Sequence, residues 1–365
     1  MEHIQAAIVK IGGNMCNLKC SYCFYNPLDQ QKKTIMSDDT LERLIQQYLS
    51  INQGHFSFIW HGGEPLLLGI EYFDKIIYYQ KKYRNPKQRI KNSLQTNGTL
   101  INDDWIEFFQ KYNFGVGISL DGNQECHDRQ RFYRGGKGSF NDVINAIHLM
   151  QAHNFKFGII QVLTKENLPY CKEIFDFFTK ELDLKRWCIN QMCYIENGQL
   201  TKESVTNDEY YSYIKETIDL WLECNNESLS VREIDNMMSG VYKVRPNNCN
   251  YNGTCGNYIC ADYNGDVYPC DRFSSNHDLC FGNINQMDLL DIVHSKTRKN
   301  FISAIRKIND DCAECEYFMF CHNGCPHHRI KDISGKYVYC QARKQIYECL
   351  SGIHKTFRKE VKNGK

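Results

Sequence analysis

The sequence lacks any surplus of charge: 44 Lys plus Arg face 43 Asp plus Glu over 365 residues, a net charge of +1. A dedicated nucleic-acid or membrane-surface binder would carry a basic excess, so neither partner is expected. No apolar run approaches the ~18 residues a membrane span needs. Met1–Ile11 has none of the charged-then-apolar pattern of an export signal, so a cytoplasmic location is expected. Cysteine is plentiful, at 19 residues, yet this falls short of the ~8–10% of a disulfide scaffold. An odd count cannot pair fully within one chain, and a chain of this length needs no disulfide staples. In a reducing compartment, cysteines at this density hold metal more often than they pair.

Six short apolar runs rich in Val, Ile and Phe read as buried strands: Ala7–Ile11, Phe56–Trp60, Asn92–Gln95, Val116–Ser119, Phe157–Val162 and Trp187–Gln191. Between them lie amphipathic segments of helix length. Asp38–Ser50 opens behind Ser37 as N-cap, and Ile70–Tyr83, Asp104–Lys111, Phe140–Ala152, Tyr170–Glu181 and Asp208–Glu223 repeat the pattern. Six strand–helix units imply right-handed crossovers and a parallel sheet, short of the usual eight. The expected fold class is α/β, a partial (β/α)6 barrel. After Asn225 the texture changes. Asn264-Gly265 signals a two-residue hairpin, and Cys312–Cys340 is too poor in apolar residues to form a core without metal. Gln341–Val361 reads as a closing basic helix.

Directly after the first strand comes Cys16-Asn-Leu-Lys-Cys20-Ser-Tyr-Cys23. Structural zinc wants four ligands, and the loop offers no fourth Cys or His. Three close thiolates suit a four-iron cluster with one iron left open. The other unusual motifs also follow strands: His61-Gly62-Gly63-Glu64-Pro65, Gln95-Thr96-Asn97-Gly98 and Ser119-Leu120-Asp121-Gly122. In parallel barrels the C-terminal strand ends carry cofactor and catalytic residues, so four motifs share one rim.

The triplet, with Tyr22 and Phe24 flanking Cys23, together with Gly-Gly-Glu-Pro, resembles the radical S-adenosylmethionine (radical SAM) superfamily. The resemblance implies that Cys16, Cys20 and Cys23 hold a 4Fe–4S cluster whose open iron binds SAM, and that reductive SAM cleavage gives a 5′-deoxyadenosyl radical. It also implies that Gly63 and Glu64 meet the SAM amino group and that Tyr22 contacts adenine. Ser119 and Arg131 would hold the ribose and carboxylate, and Met192 an adenine face. Arg131 is one of three arginines in His127–Arg134, and a guanidinium fork suits a carboxylate.

Further on, Cys249-x5-Cys255 and Tyr268-Pro269-Cys270 flank the hairpin signal, and Cys312, Cys315, Cys321, Cys325 and Cys340 follow. This resembles the SPASM extension of radical SAM enzymes, which binds two auxiliary 4Fe–4S clusters. By that resemblance Cys249, Cys255, Cys270 and Cys325 hold the first and Cys312, Cys315, Cys321 and Cys340 the second. The implied cofactors are three 4Fe–4S clusters and S-adenosyl-L-methionine. Cys260 and Cys280 lie close enough in sequence to compete as ligands. The implied division is a radical SAM partial barrel over 1–224, a bridge over 225–248, a SPASM domain over 249–345, and a C-terminal helix and tail over 346–365. Asp271, next to Cys270, matches the position where sulfatase-maturase relatives carry a proton acceptor.

Two branches fit. Ser119 through Phe140 looks like enzymes that install carbon–carbon or thioether crosslinks in ribosomally made precursor peptides, and this is the leading expectation. The alternative is an anaerobic sulfatase maturase that oxidises Cys or Ser to formylglycine, although that branch usually has Gln and Thr where this chain has His61 and Leu66. A non-catalytic zinc or electron-transfer protein is the alternative of another class. The expected partners are a precursor peptide or protein and a reductant such as flavodoxin or ferredoxin. With the triplet starting at Cys16, no N-terminal precursor-recognition domain is expected.

Overall fold

The computed structural model describes residues 3–23, 25, 34–274 and 276–362; Phe24 lies outside them. Two compact units interleave along the chain. The first takes residues 1–120, 127–158 and 256–303, and the second takes 121–126, 159–255 and 304–365.

In the first unit, β1 (Ala6–Lys10), β2 (His55–His61), β3 (Arg89–Thr96) and β4 (Gly115–Ser119) lie side by side and parallel. On its other edge β1 takes Tyr258–Ala261, again in parallel, with Ile8 opposite Cys260. Antiparallel Asp266–Tyr268 and Gly282–Asn283 follow. Helices α1 (Asp38–Ser50), α2 (Ile70–Tyr83) and α3 (Asp103–Lys111) connect the strands. Ser37 caps α1 by accepting from the Thr40 amide at 3.2 Å, and Asn102 caps α3 by accepting from the Trp105 amide at 3.0 Å. Alternation along β2 buries Phe56, Phe58 and Trp60 under Tyr48 of α1, whose ring meets Phe56 and Phe58 edge-on. The Trp60 indole is not left unpaired; it donates to Asn92 Oδ1 at 2.9 Å.

The second unit holds β5 (Phe157–Leu163, from Ile159 on), β6 (Arg186–Gln191) and the short strand Ser230–Val231, all parallel. Its long helix Asn207–Cys224 opens with a Thr206/Glu209 capping box and packs along Cys340–Lys362.

The observed class is the expected one: α/β, with a mostly parallel sheet and strand–helix alternation. Three details differ. The segment expected as one helix, Tyr170–Glu181, is an α-helix only over Cys171–Asp176 and widens to a π-turn over Phe177–Glu181. Phe177 and Phe178, at the start of that turn, are both buried. The hairpin turn is longer than two residues, because the Asp262 amide donates to Asp266 O and the Gly265 amide to Asp262 O. Helix Lys296–Arg306, which opens KTRKN, was not anticipated. No helix among the described residues is long and apolar enough to cross a membrane.

Candidate functional site

The cysteine loop leaves β1 and is clamped from two sides within the first unit. One clamp is the turn after β2. Gly62 and Gly63 have φ of +87° and +55°, and a Cβ on Gly63 would lie 2.0 Å from the Met15 carbonyl. Only glycine permits that approach, and it lets the Glu64 amide donate to Met15 O at 2.8 Å. The other clamp is strand-like: the Lys19 and Ser21 amides donate to Phe132 O and Gln130 O at 2.8 and 2.9 Å. Residues 18–21 thereby run against 130–133 and bring Arg131 to the loop. Its Nη1 lies 3.9 Å from Cys20 Sγ, and its guanidinium lies 5.3 Å from the Tyr22 ring centroid. Of the three arginines in that segment only Arg131 is buried; Arg129 and Arg134 are exposed.

Glu64 is fully buried. Its Oε1 accepts from the Leu66 amide (3.0 Å) and Thr96 Oγ1 (2.7 Å), and its Oε2 from the Asn97 amide (2.7 Å). Three donors leave part of the carboxylate's ~four-site acceptor capacity for an ammonium. Burial raises the Glu64 carboxyl to about 7, against the lowering effect of those donors and of Arg131. Burial also pushes the Cys16 thiol up to about 12, with Glu64 adding to it. Asn97 ties the third strand end to the loop, donating to Asn17 Oδ1 at 2.8 Å and approaching Cys16 Sγ at 3.8 Å. Ser119, at the end of β4, accepts from Gln95 Nε2 at 3.1 Å.

Beside the loop stands a polar group that the sequence reading only partly anticipated. Lys10, the last residue of β1, is buried; its ammonium donates to Asp262 Oδ2 and Ser274 Oγ, both at 3.1 Å, and lies 4.4 Å from the Tyr25 ring centroid. Tyr25 OH is 3.3 Å from His61 Nδ1. Burial holds the Tyr25 phenol well above its ordinary range, with Asp271 adding to that shift. Burial lowers the His61 imidazolium, and Asp271 opposes it. Asp271 therefore shares one electrostatic neighbourhood with Tyr25 and His61. Its backbone carbonyl accepts from Ser274 Oγ at 2.8 Å. Local signals for Lys10 and Tyr25 were weak: a strand-ending Lys, and a Tyr two residues past the last cysteine.

In the second unit, Cys312, Cys315, Cys321 and Cys340 line one cavity. Burial raises the Cys312 thiol, with Cys321, Cys340 and Cys315 adding to it. Cys255 is raised by burial and then by Cys325 and Cys249, so three cysteines assigned to the first auxiliary set also gather. Cys270 belongs to the first unit. Between Cys321 and Cys325, residues 322–324 all have positive φ, of 47°, 59° and 57°. Buried Arg329 braces this turn by donating to Asn323 O (3.0 Å), Ile305 O (2.9 Å) and Ile333 O (2.8 Å). Met192 follows β6 in this unit, its amide on Leu163 O at 2.8 Å. Cys260 is fully buried in the strand beside β1, and Cys280 Sγ donates to Gly282 O at 3.5 Å. No three His, Cys, Asp or Glu among the described residues converge as a single ion's ligands would. Cys312, Cys315, Cys321 and Cys340 instead surround a hollow, as a cluster of several irons requires.

The comparisons agree with this chemistry. The profile of the Radical SAM superfamily matches residues 11–178, and that of SPASM, an iron-sulfur cluster-binding domain, matches 249–316. These two matches define a radical SAM enzyme with a SPASM domain, whose cofactors are 4Fe–4S clusters and S-adenosylmethionine. A cysteine-type anaerobic sulfatase-maturating enzyme of Clostridium perfringens is 33% identical over 93% of this chain and 95% of its own length. A serine-type anaerobic sulfatase-maturating enzyme of Bacteroides thetaiotaomicron is 30% identical over 98% and 92%. The solved structure of native anSMEcpe with bound AdoMet and Cp18Cys peptide superposes with a TM-score of 0.86 at 29% identity, covering 96% of this chain and 99% of that one. The chain belongs to the family of the anaerobic sulfatase-maturating enzymes.

Proposed function

We propose that this enzyme oxidises a Cys or Ser side chain of a client peptide or protein to formylglycine. The observation that carries the reading is the end-to-end similarity to sulfatase maturases of both the cysteine and serine types. The crosslinking peptide maturase, the leading expectation from sequence, is the weaker reading. The segment that favoured it works as scaffold: His127 Nε2 lies 3.0 Å from Ser139 Oγ, Ser139 Oγ donates to Arg131 O at 3.0 Å, and Asp128 accepts from the Phe140 amide. Those contacts hold Arg131 and carry no information about the client.

In this reading Cys16, Cys20 and Cys23 hold the SAM-side cluster, and the two SPASM sets hold the auxiliary clusters, within the 1–224, 225–248, 249–345 and 346–365 division. When bound, SAM and the clusters supply a hydrogen-abstracting radical and a sink for one electron. Glu64 accepts the SAM ammonium with the Gly63 carbonyl beside it, and Arg131 takes the carboxylate. Ser119 takes the ribose hydroxyls, and Tyr22 and Met192 contact the adenine. Loss of one Cβ hydrogen atom, of the thiol proton to Asp271 and of one electron converts a cysteine side chain to a thioaldehyde. Water then replaces sulfur, releasing hydrogen sulfide; a serine gives the aldehyde directly. A flavodoxin or ferredoxin in a reducing cytoplasm supplies the reducing electron. The test is anaerobic incubation of reconstituted protein with Cys-containing, Ser-containing and Cys-free aromatic peptides, read by mass and hydrazide labelling. Aldehyde in the first two is expected. Loss of two hydrogens from the Cys- and Ser-free peptide, with no aldehyde elsewhere, would sink the reading.

A further inference from the structure

Arg343 lies in the first turn of the C-terminal helix, three residues after Cys340. It is among the largest fully buried side chains, at 2% exposure. Its Nη1 donates to Asn250 O at 2.9 Å and to Cys321 Sγ at 3.5 Å, and its Nη2 donates to Tyr337 OH at 3.0 Å. The guanidinium lies 4.2 Å from the Tyr251 ring centroid and 4.4 Å from that of Tyr337. Its bonds go to a carbonyl, a phenol and a sulfur, and none goes to a carboxylate among the described residues. A buried cation without an anionic partner is costly. What can balance it is the group held by Cys312, Cys315, Cys321 and Cys340, with which it lines one cavity.

The geometry points to Arg343 as the counter-charge of the second auxiliary cluster, a positioning residue that raises that cluster's reduction potential through its N–H···S bond to Cys321. The inference rests on the assignment of those four cysteines to one cluster. Taking up an electron adds one negative charge to the cluster. A fixed cation in a site shielded by two aromatic rings favours the reduced form more than a solvated one would. Net charge, hydrogen bonds to sulfur and exposure are the levers that set such potentials. The consequence is functional: an acceptor with a raised potential draws the electron released by the substrate radical.

The experiment is an EPR-monitored redox titration of the anaerobically reconstituted holoenzyme and its Arg343→Met, Arg343→Gln and Arg343→Lys variants, with iron counted on each preparation. The neutral variants should keep about twelve irons. They should also shift the reduction equilibrium of one cluster at least tenfold toward the oxidised form, which is about 59 mV for one electron. The other two clusters should not move, and Arg343→Lys should stay within threefold of native. Loss of about four irons from the neutral variants but not from Arg343→Lys would equally support a counter-charge. Unchanged potentials at full iron content would overturn it, and so would loss of the cluster from all three variants, which would make the residue a strut. About eight irons in the native protein would remove the ligand assignment itself, and the proposal with it.

Discussion

The two cysteine-bearing regions are built on opposite plans. The loop after β1 offers three thiols, and its surroundings are charged groups of both signs: Glu64, Arg131, Lys10, Asp262 and Asp271. Lys10 ends β1 and the others stand outside the regular strands; two backbone amides and the Thr96 hydroxyl, not an arginine, fix the Glu64 carboxylate. The 312–340 region offers five thiols, four of which line one cavity, and it is held by two buried arginines that donate mainly to carbonyls. No carboxylate pairs with either arginine among the described contacts. The difference teaches what each region can do. In the proposed reading, three thiols amid charges of both signs suit the binding and turnover of a zwitterion, and four thiols with a cation sealed beside them suit electron exchange.

The comparison breaks most visibly if the first region is emptied. Changing Cys16, Cys20 and Cys23 together to Ala should remove about four irons and abolish 5′-deoxyadenosine formation. Cleavage of SAM by that variant, measured chromatographically, would end the assignment of the open site. Asp271→Asn should be next in size: iron content and SAM cleavage unchanged, product down by at least the ~10²-fold of general-base catalysis. Near-normal product with intact clusters would remove Asp271 from catalysis.

A pH effect of smaller size sharpens the role of Glu64. Its carboxyl is raised to about 7 chiefly by burial, so below that pH it holds a proton that must leave before an ammonium can be accepted. SAM affinity should therefore be flat above pH 7 and fall about tenfold per unit below it. Equilibrium dialysis of reconstituted protein at pH 8 and 6 should show about a tenfold difference, and Glu64→Gln should bind weakly with no such slope. A slope retained in that variant would assign it to another group. The smallest effect expected is that of Asn17→Ala, which deletes the 2.8 Å bonds to Asn97 and Thr99. It should cost about 1–2 kcal/mol, read as a lowered denaturation midpoint.

How much of this was legible depends on how far each signal reaches along the chain. The Ser37 cap and the apolar run Phe56–Trp60 are local signals, and the structure has the cap and the strand they imply. Lys10 did not, because its partners Asp262 and Ser274 lie 252 and 264 residues away. Arg131 was singled out from Arg129 and Arg134 only by the family resemblance; the physical reason, the antiparallel contact with residues 18–21, is not legible in the residues themselves. The turn at 322–324 is equally hidden: His322 and Asn323 take left-handed backbone without being glycine. Arg329 and Arg343 gave no pattern at all, since a buried guanidinium looks like any surface charge in one dimension.

The pairing of β1 has a consequence for how the protein is made. Its second neighbour, Tyr258–Ala261, is synthesised 252 residues after Ile8. At roughly 5–20 residues per second, that leaves one edge of β1 without its partner strand for roughly 12–50 s. An open hydrophobic edge is a template for wrong partners, and such long-range closure is slow. The strand that carries the Cys16–Cys23 loop thus gains both neighbours only after Ala261 has been made, so metal loading there should wait for that segment. Chains stopped before Gly256 should sediment as aggregates; if they stay monomeric in ultracentrifugation, closure of that edge does not govern maturation.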